Sequence, residues 1–278
     1  MNTELLKSKE EIQVIKDGGK ILGRILKDLL SEAKAGVSTE HLENLACEWI
    51  AKAGGRPAFK NYEVWGGHFF PTALCTSINE EVVHAPAMPG RVLKDGDILS
   101  IDIGMEWPTD PSKAKKYKVS NRFSFEGGFY TDMAGTVAIG TVNNKTKKLI
   151  ETTRKALAIG IAEARPGNTL SNLGKAIQKY VEKRGFSVVR DLVGHGVGFK
   201  VHEDEPQIFN YDFTQYGIPD MVLVPGMVIA IEPMVTAGSW KIKTGPGGMA
   251  IVTADGSLSA HFEHTVAITE KGNIVITE

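Results

Sequence analysis

The second half of this chain repeats the order of its first at an offset close to 131 residues. Glu32-Ala33-Lys34-Ala35-Gly36 corresponds to Glu163-Ala164-Arg165-Pro166-Gly167. At the same spacing Leu42, Trp49, Ile50, Lys52 and Gly54 meet Leu173, Tyr180, Val181, Lys183 and Gly185. Farther on, Val92-Leu93, Gly96, Ile101 and Asp102 meet Val222-Leu223, Gly226, Ile231 and Glu232. Thr136-Val137-Ala138-Ile139 then meets Thr265-Val266-Ala267-Ile268. A single apolar match arises by chance. Three segments in one order at nearly one offset point to two similar halves.

Local signals show what each half contains. Ser8 and Glu11 have capping-box spacing, and Ile12, Ile15, Leu22, Ile25, Leu26, Leu29 and Leu30 recur at helical intervals, with Gly36 expected to close the helix. A second helix is expected from Ser38, with Leu42, Leu45, Ala46, Trp49 and Ile50 on one face and Gly54-Gly55 as its stop. Short β-type runs follow from 74 to 140, helices return over 146–165 and 169–184, and the pattern is strand-like from there on. The expectation is an α+β fold in a single domain over 1–278. Its pseudo-symmetric halves, about 8–140 and 145–278, would share one mainly antiparallel sheet with the helices outside. A polar, Lys-rich stretch at about 105–128 reads as a surface insertion.

Composition excludes several classes. Lys+Arg number 32 against Asp+Glu 33, a net charge of −1, so there is no bulk electrostatic case for DNA, RNA or an anionic membrane. The basic run at 113–118 reads as a solvated loop. Cys47 and Cys75 are the only cysteines, which fits neither a disulfide scaffold nor a cysteine-built zinc site. The first residues lack a signal-peptide core, and no stretch approaches the roughly 18 apolar residues of a membrane span. The expected setting is cytoplasmic, and the expected state is a monomer.

The repeat also aligns acids. Asp102 follows the apolar run Ile98-Leu99-Ser100-Ile101, and Glu232 follows Val228-Ile229-Ala230-Ile231. Asp132 and Glu263 likewise correspond, each just ahead of a Val-Ala-Ile strand. No lysine or arginine lies within four residues of any of the four. Buried carboxylates need partners. Four of them converging across a two-fold, with no cation among them, would repel unless divalent metal is bound. The alternative is four structural acids paired with distant basic residues.

Histidines extend the set. His195 stands in Gly194-His195-Gly196-Val197-Gly198, where glycines permit close approach of backbone or ligand. His202 precedes Glu203 but is not part of a helical HExxH, because Asp204-Glu205-Pro206 follows. His84 lies between Glu81-Val82-Val83 and Ala85-Pro86. His41, His68, His261 and His264 read as structural or rim residues. His261 alternates onto the same strand face as Glu263, which leaves it a supporting role.

Taken together, Ser77-Ile78-Asn79-Glu80-Glu81-Val82-Val83-His84, Gly96-Asp97-Ile98 up to Asp102, Gly194-His195-Gly196-Val197-Gly198, the run Val228 to Met234, and Ser259-Ala260-His261-Phe262-Glu263-His264-Thr265 resemble the type I methionine aminopeptidases, from about Ser8 onward. The resemblance implies a pita-bread fold. It also implies two divalent metal ions (Co, Mn, Fe or Zn, which sequence cannot choose between) held by Asp102, Asp132, His195, Glu232 and Glu263. Asp102 would hold one ion, His195 and Glu232 the other, with Asp132 and Glu263 bridging. His84, His202 and Glu232 would be catalytic, with His84 and His202 also touching substrate beside Tyr62, Phe70, Cys75 and Met249. The chain departs from the family by placing 29 residues between Asp102 and Asp132 where about ten are usual, and by Met249 and Val201 where larger aromatics are common.

The implied reaction is removal of N-terminal methionine from nascent proteins and peptides by a metal-bridging hydroxide, with Glu232 shuttling the proton. The ribosome is a further candidate partner. Two alternatives stay open: an aminopeptidase acting before proline on the same fold, and a non-enzymatic pita-bread binding protein. A non-haem iron site would use two histidines and one carboxylate, so the surplus of acids argues against it.

Overall fold

The computed structural model describes residues 5–64, 67–110, 112, 117 and 128–278. Helix α1, Lys9–Glu32, starts on the expected capping box: Ser8 Oγ accepts the Glu11 N–H, and Glu11 Oε2 accepts the Ser8 N–H at 2.6 Å. It stops at Glu32, short of Gly36. Gly36, at φ 89°, instead forms the turn that follows, a conformation costly for any residue with a Cβ. Helix α2, Thr39–Lys52, is capped by the Ser38 side chain. Five strands follow: β1 Arg56–Pro57, β2 Leu74–Ile78, β3 Glu81–Val83, β4 Ile98–Trp107 and β5 Phe129–Ala138.

The second half restarts with α3, Asn144–Glu163, and α4, Leu170–Glu182, capped by Thr169. Then come β6 Ser187–Val188, β7 Gly194–Gly196, β8 Glu203–Ile208, β9 Val228–Ile231 and β10 Met234–Thr236. The last five are β11 Ile242–Thr244, β12 Ile251–Thr253, β13 Ser259–His261, β14 Glu263–Thr269 and β15 Gly272–Val275.

Nine strands form one sheet in the order β1-β4-β5-β14-β9-β7-β8, with β2 also on β4 and β15 on β14. Its pairings are antiparallel, as expected. Two small sheets, β13-β10-β6 and β11-β12-β3, complete the strands.

The repeat is written in hydrogen bonds. Gly36 N–H donates to Leu93 O at 2.9 Å, and Gly167 N–H donates to Leu223 O at 2.8 Å. Gly96 N–H reaches Ile139 O at 2.9 Å, and Gly226 N–H reaches Ile268 O at 3.0 Å. Ser38 bridges Val92 as Thr169 bridges Val222.

Each half carries its own core between helices and sheet. Leu22, Ile25, Leu29, Leu42, Ala46 and Ile50 pack with Leu99, Ile101 and Ile103. Leu149, Ala156, Leu173, Ile177 and Val181 pack with Ile229, Ile231, Val266 and Ile268. Because strand side chains alternate, residues one step along, Asp102 among them, face away from the helices.

The halves meet where β5 pairs β14, through Glu263↔Ala134 and His264↔Met133. Beside this seam, β4 and β5 stay in register out to Trp107↔Phe129. Residues 105–107, read from the sequence as the start of a surface insertion, therefore belong to β4 inside the sheet. Met105, Glu106 and Trp107 are 0 %, 4 % and 8 % exposed. Arg56 Nε binds Glu106 at 2.8 Å, and the Trp107 indole donates to Ala53 O at 3.1 Å. Apart from Ser112 and Tyr117, residues 111–127 lie outside the described residues.

Leu42 and Leu173 occupy equivalent, fully buried positions. Leu42→Ala and Leu173→Ala should each cost about 2–5 kcal/mol, read as a lower urea midpoint at unchanged slope. A cost below about 1 kcal/mol at either site would contradict equivalent cores.

Candidate metal centre and pocket

Register alone gathers three acids. Asp102 on β4 and Glu263 on β14 both lie opposite Ala134 of β5, and Asp132 stands two residues before Ala134 on the same face. Glu232 follows β9, whose Ile231 pairs His264. His195 is the middle residue of β7, next to β9. The five expected ligands thus come from β4, β5, β7, β14 and the end of β9.

Their ligand atoms form overlapping groups. Those of Asp102, Asp132 and Glu263 lie within 4.8 Å of one another, as do those of His195, Glu232 and Glu263. A third group joins Asp132, His195 and His202, so His202 stands close enough to ligate although the resemblance assigns it to substrate. His195 Nε2 is 3.6 Å from Glu232 Oε1 and 3.9 Å from Asp132 Oδ2. His195 Nδ1 meets Gly196 O at 3.0 Å, and since a carbonyl only accepts, Nδ1 carries the proton and Nε2 offers its lone pair.

The glycines beside His195 do something more specific than expected. A Cβ at Gly194 would strike Ala230 O, and one at Gly196 would strike Glu205 O. They let β7 press against neighbouring backbone.

Electrostatics show what the cluster lacks. Asp132 and Glu263 are each 2 % exposed. Asp102 Oδ1, Asp132 Oδ1 and Glu263 Oε1 are buried without a hydrogen-bond partner among the described residues. Burial first, and repulsion from Glu232 next, push the Asp102 carboxyl up to about 8. Burial and neighbouring carboxylates likewise raise Asp132, Glu232 and Glu263 well above the ordinary range. Burial lowers His195 to about 4, so its imidazole is neutral at pH 7. Orphaned acid oxygens around a neutral imidazole fit a hard divalent cation, which would ionise the acids and satisfy those oxygens.

A cavity of about 350 Å³ opens onto the cluster. The residues expected to line it, Tyr62, Phe70, Cys75, His84, His202 and Met249, all do. Cys75 pairs with Asp102 across β2 and β4, and burial keeps its thiol protonated. His84 sits at φ 59°, a left-handed conformation rare outside glycine and common where strain serves a site. The His202 ring stands edge-on to Tyr62 and to His195, with centroids 5.0 and 4.4 Å away.

Phe59, Val64, Val83, Leu192, Val193 and Met234 also line the cavity, beyond the expected set. Val83 adjoins His84 and Met234 lies two residues past Glu232, so adjacency could have found them; Phe59 has no local signal. His261, expected to be structural or at the rim, is 1 % exposed with its Nε2 3.5 Å from Glu232 Oε2. His41 and His68 are exposed, and His264 binds Thr277 at 2.9 Å.

Comparison with known proteins agrees with this geometry. Metallopeptidase family M24 matches residues 13–110 and 117–270. Methionine aminopeptidase 1 of Bacillus subtilis is 43 % identical over 276 residues, covering 98 % of both chains. The methionine aminopeptidase of Clostridium perfringens is 42 % identical, again over 98 % of both. The crystal structure of methionine aminopeptidase from Thermotoga maritima superposes with a TM-score of 0.83 at 37 % identity, covering 98 % of each chain. A prolidase from Pyrococcus horikoshii, at 20 % identity and TM-score 0.71 over 64 % of its length, shares the pita-bread fold alone. The chain belongs to metallopeptidase family M24, among its methionine aminopeptidases.

Proposed function

We propose that this chain removes N-terminal methionine from peptides and nascent proteins, using two divalent ions held by Asp102, Asp132, His195, Glu232 and Glu263. The observation that carries the reading is the set of orphaned acid oxygens in a cavity otherwise lined by apolar, aromatic and imidazole side chains. The methionine aminopeptidase relatives, matched along nearly their whole length, support the substrate. The prolidases share only the fold, so action before proline has no comparable support.

When bound, such ions polarise the scissile carbonyl and ease deprotonation of water. The chain's own residues do the rest. Phe59, Phe70, Cys75 and Met249 form an apolar wall suited to a flexible thioether side chain. The Glu232 carboxylate takes a proton from the attacking water and delivers it to the leaving amine as the C–N bond breaks. His84 and His202, kept neutral by burial, donate hydrogen bonds to the developing oxyanion and the scissile amide.

Chelator-treated protein should release no methionine from Met-Ala-Ser and recover on titration with Mn²⁺, Co²⁺ or Fe²⁺, with Ala-Pro peptides left intact. Asp132→Asn should abolish the recovery; full activity in that variant would reject the ligand set. His202→Ala should keep its metal yet lose about 100- to 1,000-fold in kcat, and a near-normal rate would remove His202 from the mechanism.

The acids also set a pH signature. Asp102 releases its proton near pH 8 in the fold, against 3.8 as a free side chain. Between those values the folded state holds more protons than the unfolded one, so metal-free stability falls as pH rises. The Tm of stripped protein should drop from pH 5 to pH 8, and the Tm gain on adding Mn²⁺ should grow over the same window. A gain independent of pH would contradict this account.

A further inference from the structure

The segment ahead of α1 reaches into the loop that carries the site's histidines. Lys7 N–H donates to Gly226 O at 2.8 Å, which anchors the segment. Its Nζ runs inward to both Glu203 oxygens, at 2.7 and 2.6 Å. The two side chains are 1 % and 2 % exposed. Nζ also stands 4.7 Å from the centre of the Phe199 ring.

Glu203 turns back over the loop, where Oε1 accepts the Phe199 N–H at 2.9 Å. Gly196 pairs with Glu203 across the β7–β8 ladder. Glu203 is covalently next to His202, and Gly196 is next to His195. The ammonium therefore holds the side chain of the residue at one end of the loop, and that residue's backbone pairs with the other end. Burial raises the Glu203 carboxyl, and the Lys7 charge is the largest influence pulling it back.

A buried ion pair is weak evidence for stability, because the desolvation of both charges offsets much of their attraction. What an ammonium on a bifurcated carboxylate adds is direction. The loop is also held by backbone bonds, Tyr130 N–H to Gly198 O at 2.8 Å, Val197 N–H to Val228 O at 3.1 Å and Gly198 N–H to Lys200 O at 3.1 Å, and by the Phe199 ring against Phe129. None of these bonds to His202, whose ring packs against Phe59, Tyr62 and His195.

We infer that Lys7 is a positioning residue for the reaction: through Glu203 it sets the loop so that His202 faces the bond to be cleaved. This rests on the proposed aminopeptidase activity, and its test separates the two. Lys7→Met, which keeps the stem, Lys7→Arg, and Lys7→Met combined with His202→Ala are made in the full chain loaded with Mn²⁺ and assayed on Met-Ala-Ser.

Lys7→Met should lower kcat about 10- to 100-fold with unchanged metal content and a KM shift below about threefold. Lys7→Arg should recover part of the rate. In the His202→Ala background Lys7→Met should cost nothing further, because the two act as one unit. Amide exchange should quicken from Phe199 to His202 but not along β4 and β5. A kcat within about twofold of the parent, full multiplication with His202→Ala, or unchanged exchange would each overturn the assignment.

If Lys7→Met does not fold, Lys7→Met with Glu203→Gln removes the stranded charge and carries the same comparisons. If the parent chain releases no methionine, the functional reading fails, and the exchange pattern alone still decides whether Lys7 holds the loop.

Discussion

Four carboxyl groups share one buried face of this sheet, and their ion-pair contacts among the described residues are with histidines, not lysine or arginine. Left charged, they would repel at short range in a medium that screens poorly; left neutral, they would be weak substitutes for the apolar side chains packed elsewhere on the sheet. The arrangement is stable in use only with positive charge between the acids. Neither half could build the cluster alone, since Asp102 and Asp132 come from one half and Glu232 and Glu263 from the other. The two sets face each other at the seam between β5 and β14.

Much else follows from keeping that face polar. The helices lie on the other side, where Leu99, Ile101 and Ile103 alternate with Ser100 and Asp102. The imidazole of His195 is aimed by a neighbouring carbonyl rather than by a dedicated side chain. β7 carries glycines because only a chain without Cβ atoms fits so close to Ala230 and Glu205.

The duplicated order, the four helices α1 to α4 and the four acids were legible in the sequence, because each leaves a mark repeated at a fixed spacing; His195 was marked only by its flanking glycines. The Ser8 capping box was equally plain, and the helix starts expected at Ser38 and Thr169 turn out to be the capping residues. What stayed hidden depends on contacts far apart in the chain. The Lys7–Glu203 pair spans 196 residues, and no local rule couples an N-terminal lysine to a histidine loop. The burial of His261 beside Glu232 requires β10 and β13 to pair, which alternation alone does not dictate. The strand character of Met105 to Trp107 was masked by the polar run after it; Arg56 supplies the partner that makes Glu106 tolerable inside.

The ladder between β4 and β5 closes at Trp107↔Phe129, well beyond the rung that holds Asp102. Every rung between is a mechanical buffer, so a change in the length of the connection is absorbed before it can alter the spacing of the acids. Sequence joining the two strands beyond that last rung can therefore vary, or a foreign peptide be grafted there, at little cost to the spacing of the acids.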